Sequence, residues 1–295
     1  MSDLDARRRF YAEDVQLSAN VQSAALVEAL ATVPRERFLP PGPWTIRGEA
    51  DLQRAPRQTP DADPHWLYHN VAVAIDPARQ LFNGAPGLVA QAIDALTLQP
   101  GDRVLHLGTG LGYYTAIMAH CVGPRGRLLG LEVDVALAAG ARANLADVSW
   151  VEIREGTGAD LTGEAFDAML INAGVTHPLP QWLDALAPGG RMVLPVTATM
   201  PGMNSIGKGL LVLVERPVVD QLTSSPVDQF PPWAARLLTF VAIYSALGVR
   251  DDEANRALGM ALQRNPFPPI KSLRRDPHDA GPTCWLHTPG ACLSL

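Results

Sequence analysis

The chain has only three cysteines in 295 residues, Cys121, Cys284 and Cys292. That is too few, and too irregularly spaced, for a disulfide framework or a zinc ribbon. His287 stands between the last two, but three scattered ligands without a fourth assign no metal. Basic charge is scarce as well: 24 Lys and Arg against 30 Asp and Glu leave a net charge of −6. A general nucleic-acid binder rests its affinity on a basic surface, so that class is excluded. The cluster Arg7-Arg8-Arg9 is ringed by Asp3, Asp5, Glu13 and Asp14 and reads as a solvated helix face. No apolar run is long enough to span a membrane and no apolar leader is visible, so a cytoplasmic protein is expected. The final Cys-Leu-Ser-Leu fits a prenylation box but lacks an upstream polybasic stretch, and lipidation is not assigned. No internal repeat is visible.

The composition that remains, 47% hydrophobic and 18% charged, is that of a globular enzyme with ample length for a core. The 26 prolines crowd into residues 34–64, 217–232 and 266–289, which predicts irregular surface crossings there. Residues 5–32 carry apolar positions at helical spacing, so one or two helices precede Pro34. A short apolar stretch at Val71–Ile75, a turn at Asn83-Gly84-Ala85-Pro86-Gly87 and a helix from Pro86 to Leu98 lead to the centre of the chain.

That centre is a buried strand from Arg103 to Leu107, the glycine turn Gly108-Thr109-Gly110-Leu111-Gly112 and a helix from Tyr113 to Val122. Glycines at every second position permit a tight turn and close approach of a ligand, and the helix start offers free N–H groups. The spacing is neither that of the dinucleotide loop nor that of the phosphate loop, and no Lys-Ser/Thr pair follows, which excludes phosphoryl transfer. Strands at Arg127–Val133, Trp150–Arg154, Ala168–Ile171, Arg191–Val196 and Leu210–Val214 alternate with helices capped by Asp134 and spanning Leu179–Leu186. The pattern predicts an α/β fold, a doubly wound, mostly parallel sheet with its ligand at the strands' carboxyl ends. Further helices are expected at Leu237–Leu247 and Asp252–Gln263, in an extension outside the sheet. The division that follows is 1–85, an N-terminal helical region, 86–232, the core, and 233–295, the extension.

Several strand ends carry chemistry. Glu132 closes the second strand about twenty residues past the glycines, where a carboxylate accepts both ribose hydroxyls of an adenosine, a feature shared with NAD-binding proteins. Gly156 and Thr157 form a close-approach turn after the third strand, with Thr157 facing an adenine edge or simply making the turn. Asn172 and His177 follow the fourth strand, over the same rim.

Residues Val104–Thr115 resemble the first motif of class I S-adenosylmethionine-dependent methyltransferases. Val33-Pro34-Arg35-Glu36-Arg37-Phe38, Gly108 to Tyr113 and Leu186 to Val196 resemble, more narrowly, the protein-L-isoaspartate O-methyltransferases, in the right order over roughly residues 20–216. The resemblance implies a seven-stranded-type sheet and S-adenosyl-L-methionine as cofactor. Gly108, Thr109, Gly110 and Gly112 would line its methionine and ribose side, Glu132 would hold the ribose hydroxyls and Gly156-Thr157 would lie beside adenine. Tyr113, Val133 and Asn172 complete that set. His106 stands where the family has an acid, and so does Thr157. The family's Gln-Thr-Ile-Ser-x-Pro substrate loop corresponds to Gln80-Leu81-Phe82-Asn83-Gly84-Ala85-Pro86, without its hydroxyls, so Asn83 becomes the candidate amide donor, unless it is only a turn residue.

A carboxylate acceptor is ionised at neutral pH, with a reference pKa of about 4, and needs alignment rather than a base. Carboxyl O-methylation of an isoaspartyl-type or other peptide carboxylate is therefore expected. His177 or Tyr68 would serve as base for a hydroxyl or amine acceptor. A specialised peptide, a small metabolite, a non-catalytic cofactor-binding scaffold and an NAD-linked enzyme are the competing readings.

Overall fold

The computed structural model describes residues 3–48, 55–200, 203–218 and 231–295. Parts of two proline-rich crossings expected above, at 49–54 and 219–230, lie outside the described residues. Two helices open the chain, α1 (Asp3–Ser18) and α2 (Ala24–Thr32). Ser23 caps α2 by accepting the Leu26 N–H, and the extended Val33 before Pro34 ends it. Four short antiparallel strands follow, β1 (Thr45–Gly48), β2 (Arg57–Gln58), β3 (Val71–Asp76) and β4 (Leu81–Phe82), in the order β2-β1-β3-β4. Of these, only β3 is announced by an apolar stretch. Helix α3 (Pro86–Ala95) starts with proline in its first turn, where a missing N–H costs nothing.

From there the elements keep to the sequence pattern: β5 (Arg103–Leu107), α4 (Tyr113–Val122), β6 (Arg127–Glu132), α5 (Val135–Asn144), β7 (Val151–Glu155), β8 (Phe166–Ile171) and α6 (Pro180–Ala185). The rest is β9 (Leu186–Met200), β10 (Met203–Glu215), β11 (Trp233–Tyr244), α7 (Asp252–Arg264), β12 (Ser272–Arg274), β13 (Cys284–Thr288) and β14 (Ala291–Ser294). The chain divides into two compact units, Met1–Asp102 with Thr109–Glu155, and Arg103–Gly108 with Gly156–Leu295.

In the first unit β6 and β7 run parallel from Leu128 beside Val151 to Glu132 beside Glu155. Helix α5 packs on both strands, while α4 packs on β6 and on α2. Ile117, Met118, Leu128 and Leu129 are fully enclosed there. Burying such side chains stabilises a fold by about 1.5–3 kcal/mol each.

In the second unit β5, β8 and β9 are parallel, with Val104 beside Ala168 and Ala168 beside Arg191. Beyond β9 the strands turn antiparallel, in the order β9-β10-β11-β12-β14-β13. Two expectations fail here. Leu237–Leu247 is not a helix: up to Tyr244 it belongs to β11, which pairs with β10 from Glu215 beside Ala234 to Ile206 beside Tyr244. Residues 233–295 therefore do not lie outside the sheet pattern, because four of the sheet's strands come from them. An apolar run of that length is ambiguous between helix and buried strand. The β-branched and aromatic residues Thr239, Phe240, Val241, Ile243 and Tyr244 suit a pleated surface, and an available edge on β10 decides the outcome.

Candidate functional site

The glycine turn places Gly110 at φ +55°, in the left-handed region. A Cβ there would stand 3.1 Å from the Ile75 side chain of β3, so backbone conformation and space both call for glycine. Gly112 is the N-cap of α4, and its amide donates to Thr109 O at 3.0 Å. Thr109 N–H in turn donates to Leu131 O at 3.4 Å, which holds the turn against the end of β6.

Glu132 faces this turn. Its Oε2 accepts the Gly110 N–H at 2.8 Å and its Oε1 accepts the Asp134 N–H at 3.1 Å. Burial pushes its carboxyl above the ordinary glutamate range, and hydrogen bonds from the Asp134, Gly110 and Val133 amides oppose that shift. A carboxylate has about four lone-pair sites, so these two bonds fix its direction and leave capacity for hydroxyl donors. Beside it the Val133 side chain is 41% exposed, an apolar surface next to an oriented acid. Asp134 caps α5 by accepting the Leu137 N–H and is paired with Arg79, whose Nε also bonds Asp76 at 2.6 Å. The loop between β3 and β4 is thereby tied to the start of α5.

The loop expected to face an acceptor is built on Asn83. Its N–H donates to Val73 O at 3.0 Å and its Oδ1 accepts the Val73 N–H at 3.0 Å, so it extends the β3–β4 ladder by one residue. Its Nδ2 is buried without a hydrogen-bond partner among the described residues. Arg35, 0% exposed, also reaches Asn83 Oδ1, at 3.3 Å, while its two terminal nitrogens bond the carbonyls of Leu67, His69 and Val71. Arg47 lies over the Phe82 ring at 4.9 Å. The stretch Val33 to Phe38 carries a family resemblance, but nothing in it shows that Arg35 cross-links the segment from Leu67 to Asn83. The packing of Ile75 on Gly110 has no sequence signal at all.

The structure brings together Thr109, Gly110, Glu132 and Val133 in the first unit and holds Asn83 on β3. The side chain of Tyr113 is turned away from solvent. Its ring is 3% exposed against Phe38 and Tyr114, and its hydroxyl meets that of Tyr11 at 3.4 Å, so its side chain is core.

In the second unit Gly108 lies against Asn172, whose carbonyl oxygen would be 3.1 Å from a Cβ at Gly108 and whose N–H donates to Leu107 O at 2.8 Å. His106 is 0% exposed, and burial lowers its pKa to about 3, so it is a neutral core side chain. Gly156 begins the turn after β7, and Thr157 accepts the Ala159 N–H at 3.3 Å and packs near Gly248. His177 shares a 2.9 Å hydrogen bond with Thr176, and burial lowers its pKa against the opposing charge of Asp251.

A strand, a glycine turn into a helix, and a second strand whose terminal acid accepts an N–H from that turn define a class I S-adenosylmethionine-dependent methyltransferase. Two solved structures share the fold. One is a protein-L-isoaspartate O-methyltransferase, with TM-score 0.60, 20% identity, and coverage of 88% of this chain and 69% of that one. The other is a Plasmodium falciparum protein assigned to the same enzyme class, in complex with S-adenosyl-L-homocysteine, with TM-score 0.56, 16% identity and coverage of 81% and 97%. The sequence model of the protein-L-isoaspartate(D-aspartate) O-methyltransferase family matches residues 52–208. The chain is 34% identical over 215 residues to the protein-L-isoaspartate O-methyltransferase of Methylorubrum populi, covering 72% of this chain and 87% of the relative. It is 34% identical over 197 residues to that of Aeropyrum pernix, covering 65% and 67%. The chain belongs to the protein-L-isoaspartate(D-aspartate) O-methyltransferase family.

Proposed function

We propose that this enzyme methylates an isoaspartyl-type carboxylate of a peptide or protein, with S-adenosyl-L-methionine as donor. The observation that carries the donor site is the oriented Glu132 carboxylate bonded to the Gly110 amide. Glu132 holds the ribose hydroxyls, Val133 offers an apolar face to the adenine, and the backbone of Gly108, Thr109, Gly110 and Gly112 leaves room for the rest. By the family resemblance, Gly156, Thr157 and Asn172 are the remaining candidates for cofactor contact. When bound, the cofactor supplies a methyl group on a positively charged sulfur.

The chain's own residues then have to hold an acceptor oxygen in line, about 3–3.5 Å from the carbon it attacks. A carboxylate is recognised by N–H donors. The buried Asn83 Nδ2 without a partner among the described residues, and the Arg47 guanidinium beside Phe82, supply these in place of the family's hydroxyls. No base is required for this acceptor. His177, kept neutral by burial, supports a second reading in which a specialised peptide or small metabolite offers a hydroxyl or amine.

In this scheme residues 1–85 serve the acceptor, 86–232 the cofactor, and 233–295 extend the sheet. No helix among the described residues is long and apolar enough to cross a membrane. We assign the enzyme to the cytoplasm. The test is calorimetric titration with S-adenosylhomocysteine, then methyl transfer to an isoaspartyl peptide and to its aspartyl counterpart. Transfer to the isoaspartyl peptide alone supports the assignment. Tight binding without transfer to either peptide rejects the acceptor and retains the donor site.

A further inference from the structure

The end of the sheet brings four metal-ligating side chains into one cluster, His278, Cys284, His287 and Cys292, with a ligand atom from each all within 4.8 Å of one another. The hairpin geometry accounts for three of them. His287 on β13 is the direct partner of Cys292 on β14, so their side chains share a face. Cys284 and His287 are three apart, which in a regular strand would send them to opposite faces. A register shift between Cys284 and Leu286 sets two steps of β13 against one of β14, from Ser294 to Leu293. That bulge returns Cys284 to the face of His287.

The fourth ligand comes from the chain after β12. Arg274 forks onto the Asp276 carboxylate, with Nε to Oδ1 at 3.0 Å and Nη2 to Oδ2 at 2.5 Å, and so fixes the bend. The Asp276 carbonyl lies 2.7 Å from His278 Nδ1. A carbonyl only accepts, so Nδ1 carries the proton and Nε2 is the nitrogen with the free lone pair. Nε2 lies 3.6 Å from Cys284 Sγ. Orientation of a ligating imidazole by a carbonyl on its other nitrogen is the usual support of a metal-bound histidine. The Gly281 N–H donates to Cys284 Sγ at 3.4 Å, the kind of contact that stabilises a thiolate.

We propose that His278, Cys284, His287 and Cys292 form a closed tetrahedral site for a zinc-type divalent cation. Two thiolates and two imidazoles are a donor set that suits zinc and leaves no open position, so the role is structural. Zinc bonds of about 2.0–2.3 Å would draw the four ligand atoms to about 3.3–3.8 Å apart, a small contraction from the separations present. The buried cysteines form the floor, and the exposed His287 gives the cation a way in. The strands so joined are short, at 3, 5 and 4 residues for β12, β13 and β14. A cation bound there would hold segments that are marginal as an isolated hairpin.

The full-length chain, purified without chelators, is expected to carry about one zinc per molecule by elemental analysis. Replacement by Co²⁺ should give the intense visible absorption of tetrahedral thiolate-bound cobalt. Cys292→Ser and His278→Gln should each lower zinc content severalfold or more, with the far-ultraviolet spectrum confirming that these variants fold. Competition of the unmodified chain with a chromophoric chelator reports affinity without any variant. Less than about a tenth of an equivalent of zinc together with a featureless cobalt spectrum overturns the proposal. So does the finding that Cys284 and Cys292 are joined in a disulfide in the freshly isolated protein.

Discussion

Gly110 is the residue where conformation and space both demand glycine, at the turn proposed to receive the cofactor. Valine there would be forced toward the left-handed region at a cost of about 1–2 kcal/mol, and its Cβ would press on Ile75. Gly110→Val is expected to abolish binding of S-adenosylhomocysteine in calorimetry. Unchanged affinity would remove the loop from the site. Glu132→Ala should weaken the same ligand about tenfold to a hundredfold through lost charge-assisted hydrogen bonds, and should also lower the ligand-free thermal midpoint, because the Gly110 and Asp134 amides lose their acceptor.

The raised pKa of Glu132 gives the pH dependence its sign. In the proposed site ligand binding uses the carboxylate, so affinity should fall as pH is lowered through that pKa, beginning at a higher pH than for an exposed glutamate. For the ligand-free fold the direction is opposite. A carboxyl whose folded pKa is raised contributes stability in its protonated form, and that contribution is lost as pH rises through the folded value. Titrations across the acidic range in the parent and in Glu132→Ala would show both trends, and neither should survive in the variant.

At the scale of elements, the β3–β4 loop depends on two side chains that bind main chain. Asn83→Ala would leave the Val73 N–H unpaired, at about 1–3 kcal/mol, and should lower turnover more than cofactor affinity. Equal losses of the two, measured as kcat against Kd, would return Asn83 to a turn residue. Arg35→Ala strips four acceptors of a buried guanidinium donor and is expected to cost at least about 3 kcal/mol in denaturant unfolding, with Arg35→Lys recovering only part. These elements also mark how far sequence patterns reach. Helix α4 is legible residue for residue, since a glycine turn precedes it and a second glycine follows. Strand β4, two residues long, is not legible, because its existence rests on the Asn83 amide and on pairing with β3. Strand β11 is misread as a helix for a related cause: an apolar run states that it will be buried, not against what.

At the scale of the whole molecule, residues after Trp233 complete the sheet rather than decorate it. A chain ending at residue 232 would expose the edge of β10 from Ile206 to Glu215, the row that β11 covers. Exposed edges pair with other chains, so the truncated protein should aggregate in size-exclusion chromatography where the full chain does not. The isoaspartyl methyltransferase character was already present in short motifs, because a turn that needs glycine and a strand end that needs an acid are local requirements written at fixed spacing. The glycine turn and the acid at Glu132 were thus legible in the sequence alone, as was the loss of the family's hydroxyls around Asn83. Only the tertiary structure decided that His106 and Tyr113 are core, since enclosure depends on neighbours distant in the chain. It also decided that His278 joins Cys284, His287 and Cys292, because a bulge and a bend, not a spacing, bring those four atoms to one point.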